Sequence, residues 1–413
     1  MLTNPKKTLP ILCEGDPAVM TGASLRFPEG FLWGASTAAH QVEGNNVNND
    51  WWMREHSSAH GIVEPSGDAC DSYHRYREDI ALLAELGFNT YRFSLEWSRI
   101  EPEAGYLSRA AIDHYRRMVD ACREFGLTPM VTLLHFTVPK WMAARGRWRG
   151  RDAAERFARF TEAVLPVVAD GVEWVCTINE PNMMAMTPEG DAPQVPSLIR
   201  PDPDTLVTEV LVDAHLRSRE ILGSVPAIKS GWSVATQAFQ AETGCEQIAH
   251  DYGYPREDLF LEVARGDDFI GVQAYTRTVI GPHGPRPVPD DAETTLTGWE
   301  YYPAALAAGI RNAWKLTDNV PVVVTENGIA TADDTRRIAY AEAALTGLHE
   351  AMTDGVDIRG YLHWSALDNY EWGSYAPTFG LIAVDRGTFA RTPKPSAYWL
   401  GDVGRTKALR LST

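Results

Sequence analysis

Apolar residues along this chain alternate between two rhythms. Short runs of strand length, rich in β-branched and aromatic residues, are closed by Gly, Pro, Asn or Asp. Eight can be read in order: "FLWGAST" from Phe31, "NTYRFSLEW" from Asn89, "LTPMVTLLHF" from Leu127, "EWVCTINEP" from Glu173, "AIKSGWSVA" from Ala227, "DFIGVQAYT" from Asp268, "VPVVVTENG" from Val320 and "IRGYLHWSALD" from Ile358. Between them lie stretches such as "REDIALLAELGF", "SRAAIDHYRRMVDACREFG" and "DDTRRIAYAEAALTGLHEAMTDG". In these the apolar residues recur at three- and four-residue steps and a glycine closes the end, as in amphipathic helices. Strand and helix alternating eight times predict a closed parallel (β/α)8 (TIM) barrel of class α/β. We expect one catalytic domain over 26–402, a loosely attached N-terminal segment over 1–25 and a C-terminal tail over 403–413. The Pro-rich stretch "GPHGPRPVP" from Gly281 reads as a loop rather than a domain boundary.

Two of the runs end on a carboxylate. "VPVVVTENG" stops at Glu326 and "TINEPNM" places Glu180 after an equally apolar stretch, each beside an asparagine. An isolated carboxylate there is partly desolvated, which costs several kcal/mol unless it is paired or used. In a parallel barrel the C-terminal strand ends converge on one face, so the ends of the fourth and seventh strands can confront each other across its mouth. Two carboxyls flanking a small pocket suit hydrolysis of a glycosidic bond, one protonated to donate to the leaving oxygen and the other ionised to attack or to activate water. Other polar and aromatic residues gather at strand ends too: Gln41 after the first, Arg92 in the second, His135 ending the third, Tyr275 ending the sixth and Trp364 on the eighth. Arg92 and Tyr275 are suited to keep a nucleophilic carboxylate ionised, by opposite charge and by hydrogen bonding.

Composition narrows the partners. The 413 residues are 44% hydrophobic and 23% charged, with no apolar run long enough to span a bilayer. A formal net charge of -17 without a basic stripe argues against nucleic acid. Five cysteines without a Cys-x-x-Cys spacing read as free thiols. With no signal-peptide core at the N-terminus, the expected compartment is the cytoplasm. No cofactor or metal is expected: His56 and His60 have helical metal-pair spacing but no third ligand. Glu96, Glu101 and Glu103 read as structural or solvated. Trp51-Trp52 and "GWEYYP" from Gly298 could form a sugar platform, but packing is the simpler reading.

Six stretches, "FPEGFLWGASTAAHQVEG", "YRFSLEWSRIEPEAG", "TINEPN", "DFIGVQAYTR", "VTENGIA" and "WSALDNYEWGSYAPTFGL", resemble in order the landmarks of glycoside hydrolase family 1, the retaining β-glucosidases, from Phe27 to about Trp399. The resemblance implies a (β/α)8 barrel with Glu180 as acid/base and Glu326 as nucleophile. It further implies sugar contacts at Gln41, His135, Asn179, Glu371 and Trp372, with Trp364 as the pocket floor, Phe379 beside it, and Tyr275 retained next to the nucleophile. Asn179 would hold the sugar's 2-hydroxyl. Glu371 suits an unphosphorylated hexose, since a phosphate would meet like charge, and glucose, galactose and fucose all remain open. A glutamate at 180 argues against the thioglucosidase branch. The expected partner is a small β-glycoside or oligosaccharide, and the oligomeric state is undetermined.

The chain departs from the family text at three places. Gln273 stands where asparagine is usual, altering the support near the nucleophile by one methylene. The stretch after Pro181, "NMMAMTPEGDAPQVPSLIRPDPD", is shorter than usual, and that between Glu371 and Phe379 is slightly compressed. These imply a more open leaving-group side and broad tolerance there. A transglycosylase using the same covalent intermediate and a non-catalytic sugar-binding relative are the rival readings.

Overall fold

The computed structural model describes residues 24–57, 62–187 and 200–412. Eight parallel strands close into a barrel: β1 (Leu32–Ser36), β2 (Thr90–Ser94), β3 (Thr128–Leu134), β4 (Trp174–Asn179), β5 (Lys229–Thr236), β6 (Ile270–Ala274), β7 (Val322–Glu326) and β8 (Ile358–Trp364). Each pairs with its sequence neighbours, and β8 returns to β1, with Tyr361 opposite Trp33 and Trp364 opposite Ser36. All eight anticipated runs are barrel strands, starting zero to two residues later than the apolar text begins.

Each strand after β1 is reached through helix that covers the barrel's outside. These are α1 (Ser72–Leu86), α2 (Arg109–Glu124), α3 (Ala153–Val168), α4 (Thr205–Leu222), α5 (Glu246–Gly253), α6 (Ala305–Leu316) and α7 (Asp334–Thr353), with α8 (Pro395–Thr406) following β8. Three of these helices start on a side-chain cap. The Ser108 hydroxyl caps α2 by accepting from Ala111 N, and Asp204 and Asp333 cap α4 and α7. On α2 the residues Ala111, Tyr115, Met118, Val119 and Cys122 form one buried face, so helix periodicity becomes packing against the barrel.

The barrel interior is stratified. Leu32, Met130, Trp174, Phe269, Val323 and Leu362 form a separate apolar cluster, contributed mostly from the N-terminal ends of the strands. Nearer the other end come polar groups: Thr325 donates to Ser233 Oγ at 3.0 Å, and Arg92 Nε donates to Thr132 Oγ1 at 3.0 Å. The chain can place charge here only because the layer below excludes water and the strand ends above open onto it.

The C-terminal boundary needs correction. Helix α8 runs to Thr406, through the boundary expected at 402, and Ala408–Arg410 then pairs antiparallel with Ser24–Arg26. Residues 403–410 are therefore part of the packed body, as are residues 24 and 25. Leu409 is fully buried and Phe27 N donates to Lys407 O at 3.0 Å. Three-residue strands with one buried apolar side chain carry too little periodicity to be read from sequence. In the Pro-rich region, Thr278–Gly281 pairs with Gly284–Pro285 and with Phe239–Ala241 in a small sheet after β6. No helix among the described residues is long and apolar enough to cross a membrane.

Candidate active site

Glu326 ends β7 and is 4% exposed. Its two oxygens are claimed separately: Arg92 Nη1 donates to Oε1 at 2.7 Å and the Tyr275 hydroxyl donates to Oε2 at 2.7 Å. Burial pushes its pKa up, while Arg92 and Tyr275 pull it back by stabilising the charged form. Gly328 lies two residues on, and here a Cβ would come 2.2 Å from the Trp364 carbonyl oxygen. The glycine that closes the "TENG" run thus lets β8 approach the turn after the carboxylate.

Glu180 follows β4 in a left-handed conformation, φ 46°, with its N–H donating to Ser233 O at 2.8 Å. It is the residue before the short helix Pro181–Met186, whose Asn182 side chain is tied to the β5 backbone at Ala235 on both edges. No side-chain hydrogen bond reaches the Glu180 carboxyl among the described residues. Burial and then the neighbouring charge of Glu326 push its pKa up to about 8. The two carboxyls titrate as a coupled pair in which Glu326, with its cation and phenol, gives up its proton first.

Between them runs one hydrogen-bond chain. Asn179 Oδ1 accepts from Arg92 Nη2 at 2.6 Å and from Gln273 Nε2 at 2.8 Å, so its Nδ2 is turned to His135 Nε2 at 3.2 Å. Burial holds His135 well below its ordinary pKa, with the Arg92 charge adding to the effect, so the imidazole is neutral. The Gln273 departure is thereby located: its amide bonds Asn179, and Tyr275 keeps its bond to Glu326.

Around this chain lies an open pocket whose empty space, counted together with the solvent at its mouth, is about 900 Å³. His135 stacks nearly parallel to Trp364 and Trp372, at interplanar angles of 19° and 13°. Trp364 Nε1 donates to Glu371 Oε1 at 3.1 Å and Gln41 Nε2 to its Oε2 at 3.2 Å. Burial pushes the Glu371 carboxyl up to about 8, with Glu326 adding to the rise and the Trp364 bond opposing it. Gln41 Oε1 and His135 Nδ1 have no partner among the described residues, leaving polar groups for a ligand.

Every residue expected at the site from the sequence gathers here. Gln41, His135, Glu180, Tyr275, Glu326, Trp364, Glu371, Trp372 and Phe379 line the pocket; Arg92 and Asn179 are fully buried and stand behind them. Sequence reasoning missed Arg200, Gln237 and Met183, which also line the pocket. Of these only Gln237 carried a signal, as a polar residue directly after a strand. Trp299, read as packing, lines the pocket within a group formed with Tyr275 and Phe379. Trp51 does pack, edge-on against Trp372 at 5.2 Å.

The bland readings also find their places. Glu96 is buried, accepting from Ser98 Oγ at 2.7 Å and Thr137 Oγ1 at 3.0 Å, and Glu101 accepts from Trp97 Nε1 at 2.7 Å. His60 and most of the shortened loop after Pro181 lie outside the described residues. No group of three His, Cys, Asp or Glu among the described residues is placed to hold a metal ion.

A parallel (β/α)8 barrel with two unlike carboxyls in a polar, aromatic-walled pocket at its strand ends has the layout of a glycoside hydrolase. The sequence matches the glycosyl hydrolase family 1 profile over residues 23–219 and 272–409, and the chain belongs to that family. It is 32% identical to the thermostable beta-glucosidase B of Thermobispora bispora, covering 96% of this chain and 94% of that protein. It is 29% identical to a bifunctional beta-D-glucosidase/beta-D-fucosidase of Bifidobacterium breve, covering 90% and 97%. The crystal structure of beta-glycosidase BGL167 superposes with a TM-score of 0.85 at 45% identity over 94% of this chain and 99% of that one. The Thermotoga maritima beta-glucosidase in complex with glucoimidazole gives 0.84 at 28% identity over 92% and 99%.

Proposed function

We propose that the protein is a retaining β-glucosidase that removes terminal, unphosphorylated β-D-glucosyl residues, with galactosyl and fucosyl residues as near alternatives. Glu326 attacks the anomeric carbon while Glu180 passes its proton to the leaving oxygen. Glu180, then a carboxylate, takes a proton from water, which displaces Glu326 from the glycosyl-enzyme and releases the sugar with retained configuration. The observation that carries this reading is the asymmetry of the two carboxyls. Glu326 has a guanidinium and a phenol at 2.7 Å to hold its charge, whereas Glu180 has no such partner and keeps its proton up to about pH 8. A neutral hexose is supported by Glu371 at the inner wall, held by Trp364 and Gln41, and by the stretch Gly373 to Gly380, which carries no lysine or arginine for a phosphate. Buried, unpaired Cys70, Cys122, Cys176 and Cys245 support a reducing, cytoplasmic setting, and the charge of -17 supports a partner other than nucleic acid.

The test uses p-nitrophenyl β-glucoside with the wild type and Glu326→Gly. The variant is expected to lose at least about 10⁴-fold in kcat. Added azide should restore turnover and yield a glycosyl azide of inverted configuration. Wild type inert on the β-glucoside, β-galactoside and β-fucoside alike would overturn the proposal and favour a sugar-binding relative.

A further inference from the structure

Beyond Gln41 and His135, the pocket holds further polar groups that are fixed in place and yet unsatisfied. Gln237 is the first residue after β5 and is 9% exposed. Its N–H donates to Glu257 Oε2 at 2.8 Å, so its backbone is pinned, but neither Nε2 nor Oε1 of its side chain has a hydrogen-bond partner among the described residues. An amide buried in this way costs on the order of 1–3 kcal/mol until something bonds to it.

Arg200 lines the same pocket. Its backbone is also anchored: its N–H donates to the Tyr252 hydroxyl at 3.1 Å and its carbonyl accepts from Arg256 Nη2 at 3.3 Å. Arg256 in turn pairs with Asp202 at 2.5 Å, and its own carbonyl accepts from Asn182, two residues after Glu180. The segment carrying Arg200 is therefore tied to the helix that the acid/base begins. The guanidinium itself makes no ion pair or hydrogen bond among the described residues, and its Nε is buried without an acceptor. Burial pulls its pKa below the ordinary arginine range, with the charge of Glu180 acting the other way. While Glu180 is protonated, as the first chemical step requires, that compensating charge is absent.

The backbones of Arg200 and Gln237 are anchored to the adjacent residues Arg256 and Glu257, and a partly desolvated guanidinium and a buried amide lining one pocket can be satisfied together by an anion that enters with the substrate. Arg200 is the only arginine or lysine lining the pocket among the described residues. One guanidinium with one amide matches a planar, singly charged carboxylate better than a dianionic phosphate. Resting on the hydrolase reading above, we infer that Arg200 and Gln237 select β-glycosides whose leaving group carries a carboxylate. Arg200 pairs with that carboxylate, and the Gln237 amide donates to it or to a neighbouring oxygen. The acidic protein thus carries a local positive site beside its own general acid.

The experiment compares kcat/KM for the β-glucosides of 4-hydroxybenzoate and of its methyl ester at about pH 6, where the carboxylate is ionised and Glu180 protonated. The wild type, Arg200→Met, Arg200→Lys and Gln237→Leu are each measured, so the intrinsic difference between the two leaving groups cancels in the comparison. The acid-to-ester ratio is expected to fall at least about tenfold in Arg200→Met, less in Arg200→Lys, and by about threefold in Gln237→Leu. In the wild type, 4-hydroxybenzoate should also inhibit more strongly than 4-hydroxybenzamide, which tests the site without any substitution. An unchanged ratio in Arg200→Met, or equal inhibition by the two phenols, overturns the inference; Arg200 would then serve only the charge of Glu180. A wild type that cleaves neither glucoside nor p-nitrophenyl β-glucoside would instead overturn the hydrolase reading, so the two failures are distinct.

Discussion

The ends of β4 and β7 present the same residue type in the same local text, yet they hold it in opposite ways. At β7 the carboxylate of Glu326 is gripped on both oxygens by Arg92 and Tyr275. At β4 the carboxyl of Glu180 is steered only by its backbone, set by the left-handed turn and the bond to Ser233. A nucleophile must be ionised and immobile, so it is paired. A group that changes protonation twice per cycle must be able to hold either state, so it is left without a strong partner. The difference teaches that the roles lie in the neighbours rather than in the glutamates.

Removing the proton carrier should give the largest change on the β4 side. Glu180→Gln is expected to lower kcat/KM by about 10²–10⁴-fold on alkyl glucosides, with a smaller loss on p-nitrophenyl glucoside, whose leaving group needs little protonation. The pH profile sharpens this. Since the protonated form of Glu180 is required, wild-type kcat/KM should fall as pH rises through about 8, and that limb should vanish in the variant. A limb that persists unchanged in Glu180→Gln would break the assignment.

On the β7 side, Arg92→Met strands Glu326 as a buried carboxylate without its cation. A loss of about 3–5 kcal/mol in stability is expected, read by denaturant unfolding, together with a rise of the acid limb as the nucleophile's pKa climbs. A gentler version is Tyr275→Phe. Losing one bond to a charged oxygen should cost about tenfold in kcat/KM and move the acid limb upward, with little change in unfolding. The smallest effect is expected from Gln273→Leu, which removes one of two donors to Asn179 Oδ1. A decrease of a few-fold in kcat/KM is expected, and a loss as large as that of Tyr275→Phe would show that Gln273 acts on the nucleophile itself.

Much of this comparison was legible in the chain. The apolar runs located the eight strands, and polar or aromatic residues at or near the ends of all but the fifth run marked where chemistry would converge. Glu180, Glu326, Gln41, His135, Tyr275 and Trp364 were found in this way because strand ends are local features. Arg200 was not, because it stands about twenty residues beyond the end of β4 and is held at the pocket by ties to Tyr252 and Arg256. Trp299 looked like packing, since an indole's partners are set by the fold and not by its neighbours in sequence. The pairing of Ser24–Arg26 with Ala408–Arg410 was likewise unreadable, its two strands being separated by nearly the whole chain.

By itself the sequence determined the alternation of strand and helix, and with it the barrel, because periodicity and caps are written in short-range order. It also determined that two carboxyls stand at the ends of the fourth and seventh strands. The tertiary structure alone decided which carboxyl is charged. That depends on Arg92 lying within 2.7 Å of one glutamate and on the same interior desolvating the other, and proximity across a closed barrel is a property of how the strands meet.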